Sequence, residues 1–65
     1  MALYNNIKDL RLGRNITQED LAMAVGVSRQ TIVAIEKGNY TPSLDLAMKL
    51  AAFLCLPIEK IFYIK

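Results

Sequence analysis

The chain has 65 residues, a mass of 7.3 kDa, a formal net charge of +2 and 54% hydrophobic residues. That length allows one domain, and with no histidine and Cys55 as its only cysteine the chain has no internal disulfide, no zinc site and almost no nucleophile–base chemistry. No apolar run reaches the roughly 18 residues of a membrane span and MALYNNIKD carries no signal pattern, so the composition predicts a cytoplasmic protein that is not an enzyme and holds no cofactor or metal.

In chain order, Asn5 or Asn6 can cap a first helix running to Gly13 or Arg14. Its inner face carries Ile7 and Leu10 with Arg11 beside them, while Leu12 points away. A second helix starts at Ile16-Thr17-Gln18-Glu19-Asp20-Leu21, where Thr17 is the N-cap and Asp20 completes a capping box. Ile16 and Leu21 sit where a hydrophobic staple closes. Leu21, Ala22 and Val25 follow as the buried stripe, and Gly26 is placed to end the helix in a left-handed conformation. The pattern then repeats: Val27 precedes the N-cap Ser28, Ile32 and Ile35 face inward, and Gly38-Asn39 ends the third helix.

Pro42 forces Thr41 out of helical geometry. Ser43 caps a fourth helix with Asp45 in its first turn and Leu46, Ala47, Leu50, Ala51 and Leu54 inside. Pro57 suits the first position of a short fifth helix. Ala2-Leu3-Tyr4 and the β-branched, aromatic tail Ile61-Phe62-Tyr63-Ile64 predict a small two-stranded sheet pairing the two chain ends. Met23, Met48 and Cys55 read as core or near-core filler.

The informative feature is the middle pair of helices, joined by a short glycine-containing turn. On an ideal helix Arg29, Gln30, Val33 and Ala34 share one arc of about 140°, with Ile32 and Ile35 on the other side. Arginine is the commonest bidentate reader of guanine, glutamine can read adenine, and Val33 and Ala34 can meet a thymine methyl. The N-terminus of the preceding helix, at Thr17-Gln18, offers backbone N–H groups to a phosphate.

These residues form a longer string. Gln18-x-x-Leu21-Ala22-x-x-Val25-Gly26-Val27-Ser28-x-x-Thr31-Ile32-x-x-Ile35-Glu36-x-Gly38-x-x-x-Pro42 resembles the Cro/lambda-repressor, or XRE, type of helix-turn-helix, and its short stand-alone branch in particular. The resemblance covers about residues 6–62. It implies an all-α, five-helix, lambda-repressor-like domain that binds operator DNA as a two-fold dimer. It carries base contacts onto Arg29, Gln30 and Ala34, and phosphate contacts onto Gln18, Thr31, Lys37, Asn39 and Tyr40, to which the cap residues Thr17 and Ser28 are added. A longer polar side chain often stands in the family where this chain has Ala34, so the resemblance implies one polar base contact fewer here. The resemblance also implies a structural ion pair between Arg11 and Glu36.

The expectation is therefore one domain over 1–65, with its helix-turn-helix at about 17–37 and a dimerisation segment at about 54–65. Leu54, Leu56, Ile58, Ile61, Phe62 and Ile64 outnumber what one small core needs, and this predicts a homodimer contact. The function implied is a cytoplasmic, nucleoid-associated transcriptional regulator, a repressor whose partner is a pseudo-palindromic double-stranded DNA operator. The alternative is a protein-interaction module on the same fold, either antitoxin-like or polymerase-docking; the absence of a polar tail after Lys65 disfavours the former.

Overall fold

The computed structural model describes residues 1–65, and each capped start in the sequence opens a helix. Four α-helices follow one another: α1 (Ile7–Gly13), α2 (Gln18–Val25), α3 (Arg29–Glu36) and α4 (Leu44–Leu54). Strands β1 (Leu3–Asn5) and β2 (Phe62–Ile64) pair antiparallel, with Leu3 opposite Ile64, Tyr4 opposite Tyr63 and Asn5 opposite Phe62. The Tyr4 and Tyr63 rings stack with centroids 5.8 Å apart.

Local chemistry explains the helix ends. Thr17 Oγ1 accepts from the Asp20 N–H at 2.9 Å and the Asp20 carboxylate accepts from the Thr17 N–H at 3.2 Å, so the capping box is complete. Ser28 and Ser43 each accept from the N–H three residues on. Gly26 (φ 78°) ends α2 in the left-handed region. Gly38 (φ 81°) does so after α3, where the Asn39 N–H reaches the Ala34 carbonyl and the Gly38 N–H the Ile35 carbonyl. That is a Schellman closure, which satisfies two otherwise orphaned carbonyls.

One core of apolar side chains holds the elements together. Ile7, Leu21, Ile32, Ile35, Leu50, Leu54 and Ile61 are its fully buried large members. It draws on every helix and on the returning C-terminal segment, so α2 and α3 are fixed from behind while their opposite faces stay free.

Several expectations need correction. The fifth helix is a single 3-10 turn, Ile58–Lys60, and Pro57 stands before it with extended backbone (ψ 152°). Only a few residues separate Pro57 from β2, and Phe62 must already be extended to pair with Asn5. Met23 and Met48 are exposed, because each lies across its helix from the buried stripe. Cys55 is exposed as well, and it ends α4 in the left-handed region (φ 57°), the position where a glycine is usual. Of the segment assigned to a dimer contact, Leu54, Ile61 and Phe62 are buried in this chain's own core, and Leu56 and Ile58 pack against it. Only Ile64 is substantially exposed. The sheet folds the tail back over the helices, so residues that looked surplus along the chain are taken up by its own core.

Candidate nucleic-acid interface

The turn between α2 and α3 is three residues, Gly26, Val27 and Ser28. Val27 is half-buried against the core, which anchors the turn and sets the angle at which α3 leaves it. Ile32 and Ile35 bury the inner face of α3. Its outer face therefore carries Arg29 and Gln30, both exposed, with Val33 and Ala34 half-buried behind them.

The N-terminal turn of α3 stands as a ridge between two open concavities. One, about 630 Å³, is lined by Arg29 together with Asn15, Thr17, Gln18 and Glu19. The other, about 380 Å³, is lined by Gln30 and Ala34 with Ser28, Thr31, Asn39 and Tyr40. The expected base-facing residues thus lie on or beside the ridge, and the expected phosphate-facing residues flank it, with one exception. Lys37 lies with β1 and Gly38 around a third, smaller concavity.

Three hydroxyls of the expected phosphate set, those of Thr17, Ser28 and Thr31, are already engaged. Ser28 Oγ accepts from the Thr31 N–H at 3.2 Å and lies 3.1 Å from Thr31 Oγ1. Thr17 is occupied by the capping box. The anion-binding capacity at the start of α2 rests instead on the Gln18 side chain and on the N–H groups of Gln18 and Glu19, which have no partner in the chain. The acids Glu19 and Asp20 in the same turn weaken the positive end of the helix dipole. An anion there depends correspondingly more on Arg29 and on directed hydrogen bonds.

Glu36 organises the back of this surface. Arg11 donates to it twice, Nε to Oε2 at 2.8 Å and Nη2 to Oε1 at 3.2 Å, while Arg11 Nη1 donates to the Ile16 carbonyl at 3.1 Å. Gln18 Nε2 donates to Glu36 Oε1 at 3.1 Å. The Arg11 and Glu36 side chains are only 8% and 5% exposed, so this forked pair is shielded from water. It ties the end of α3 to α1 and to the first residue of α2. Gln18 is thereby held through one hydrogen of its amide nitrogen, and the second hydrogen stays free to donate to an anion.

Two residues outside the expected site set also shape this surface. Asn5 donates to the Ile35 carbonyl at 2.9 Å while its own oxygen accepts from the Ile7 N–H at 3.1 Å, so β1 braces the end of α3. Asn15 lines the larger concavity from a left-handed conformation (φ 57°). Asparagine's tolerance of that region was the available signal for Asn15. Asn5 was legible as a candidate cap, and its oxygen does meet the Ile7 N–H, but nothing local marks its bond to Ile35, thirty residues away.

A tight helix–turn–helix with a buried rear face and a polar ridge in front defines a DNA-binding domain of the helix-turn-helix class. The family model described as Helix-turn-helix matches residues 7–61, and the chain belongs to this family in its XRE type, a family of DNA-binding transcriptional regulators. The uncharacterized HTH-type transcriptional regulator MJ0272 of Methanocaldococcus jannaschii is 60% identical over 60 residues, covering 92% of this chain and 91% of that one. The cryptic phage CTXphi transcriptional repressor RstR of Vibrio cholerae is 40% identical over 57 residues, which are 88% of this chain and 51% of RstR. Among solved structures, the restriction-modification controller protein C.AhdI of Aeromonas hydrophila superposes with a TM-score of 0.78 at 30% identity, covering 83% of this chain and 82% of that one. No helix of the chain is long and apolar enough to cross a membrane.

Proposed function

We propose that the protein is a sequence-specific repressor that binds a pseudo-palindromic operator in double-stranded DNA as a dimer, in the cytoplasm at the nucleoid. The ridge of α3 between two open concavities, each lined mostly by polar residues, carries this reading. A helix seated in the major groove has a phosphate backbone on either side, and the two concavities offer polar groups to each. Arg29 and Gln30 read base edges, with Val33 and Ala34 closing on apolar base surface. Gln18 holds one backbone through its side chain and through the N–H groups at the start of α2. Asn39 and Tyr40 hold the other. Thr17, Ser28 and Thr31 act mainly by shaping the two helix starts.

Lys37 stands apart from both concavities and contributes long-range attraction, as Lys8 and Lys49 do. With a net charge of only +2, that term is modest. Affinity therefore depends chiefly on directed contacts and on the pairing of two subunits. RstR is named a transcriptional repressor, and a domain that covers operator DNA represses most simply by excluding polymerase.

Selection from random duplex DNA at about 0.15 M salt tests the reading, since nonspecific affinity is weak there. The expected product is an inverted repeat whose half-sites lie one helical turn, about 34 Å, apart. A folded protein that enriches no sequence would overturn the proposal.

A further inference from the structure

One face of α4 has no partner in the chain. Leu44, Met48 and Ala52 recur every four residues and fall within about 80° of the helix circumference, and Cys55 caps the helix beyond them. Leu44 is 72% and Met48 57% exposed, and Ala52 and Cys55 are exposed beside them. Leu46, Leu50 and Leu54 occupy the opposite, buried side. The stripe contains no charge. One margin carries Asp45 and Lys49, and the other is formed by Ala47 and Ala51, which pack inward. None of these residues lines either concavity that flanks α3.

We propose that this face of α4 is where a second copy of the chain seats, α4 against α4 about a two-fold axis near Met48. The inference rests on the dimeric reading above and names its contact surface. A two-fold contact must be complementary to itself. Antiparallel helices crossing near Met48 bring Asp45 of each copy within reach of Lys49 of the other, so the single acid and single base of the margin pair twice. The same crossing lays the large Leu44 over the small Ala52 of the second copy, and Met48 meets its own equivalent with a side chain that adapts to irregular gaps.

The size of the contact sets its strength. The exposed half of an 11-residue helix presents on the order of 300 Å², against the roughly 800 Å² per partner of a standard interface. Association is therefore weak and concentration-dependent, and the operator completes it by holding both subunits.

The exposed sheet end is the competing surface. It offers the cross-strand pair Leu3 and Ile64, while Tyr4 and Tyr63 already stack on one another.

Sedimentation of the full chain without DNA, from about 1 to 200 µM, tests the inference, with Met48→Glu and Ile64→Glu beside the wild type. Both positions are exposed, and circular dichroism checks each fold. The wild type should approach twice the 7.3 kDa monomer mass, Ile64→Glu should follow it, and Met48→Glu should stay monomeric at every concentration. Met48→Glu should also raise the protein concentration needed for half-saturation of a two-half-site duplex at least tenfold while selecting the same bases. A wild type that remains monomeric throughout, a Met48→Glu protein that associates normally, or loss of association in Ile64→Glu alone each overturns the α4 contact. Those outcomes leave the DNA-reading proposal to site selection. A protein that dimerises through α4 but enriches no sequence refutes that proposal alone.

Discussion

Glu36→Gln preserves the shape of the side chain and removes the charge toward which Arg11 Nε and Nη2 point. Arg11 is then left inside the domain with one intact partner, the Ile16 carbonyl, and with an amide that can accept one of its two remaining bonds. Removing one partner of a buried ion pair costs about 3–5 kcal/mol. The residual bonds place this case near 3 kcal/mol. Unfolding entropy near the melting point is about 2.1 cal/mol/K per residue, so for 65 residues it is about 0.14 kcal/mol/K, and 3 kcal/mol lowers Tm by about 20 °C. Thermal unfolding followed by circular dichroism at neutral pH and equal protein concentration measures this directly. A drop of less than about 5 °C would refute the view that Arg11 is uncompensated without Glu36. Replacing both partners, Arg11→Met with Glu36→Leu, should recover most of the loss, because no buried charge then remains.

Arg29→Ala should cost about 1–3 kcal/mol at one base pair and relax selection there; equal weakening on all sequences, measured by competition binding, would remove Arg29 from base reading. Gln18→Ala should weaken every site alike, and a loss confined to particular sequences would contradict its place on the phosphate backbone. Gly26→Ala should destabilise by about 1 kcal/mol through backbone conformation alone, since no atom lies within 4 Å of the added carbon; a loss well above that in urea titrations would mean a steric clash. The Ser43 hydroxyl, aided by the Lys49 charge, holds the Asp45 carboxyl below its ordinary pKa. The resulting stability is present above about pH 4, the unfolded value, and disappears as pH falls through the lower folded value. Asp45→Asn should abolish that component of acid destabilisation, and Tm curves for the two proteins that stay parallel down to pH 2 would rule it out.

The helix starts were legible because their chemistry is local. A cap and the N–H that it satisfies lie three residues apart, so Thr17 with Asp20, Ser28 and Ser43 announce themselves along the chain. The left-handed ends at Gly26 and Gly38 are equally local, since they depend on the absence of a Cβ. Periodicity likewise separates the outer residues Arg29 and Gln30 from the inner Ile32 and Ile35. What periodicity does not give is the sharing of apolar residues between a chain's own core and a partner. Ile61 and Phe62 looked surplus until the returning tail folded them inward, while Met48 and Cys55 looked like filler and lie outside.

By itself, then, the sequence determined where helices begin and stop, which face of α3 is polar, and that the two chain ends favour a strand pair. Each follows from interactions within a few residues or from a simple period. The Arg11–Glu36 pair that the resemblance implied is present, but tertiary structure alone decided that Gln18 joins it from 18 residues away, that Asn5 braces the end of α3, and that the last helix shrinks to a single turn. Those outcomes depend on distant segments meeting in one small volume, where a charge must find its partners and each apolar side chain competes for limited interior space.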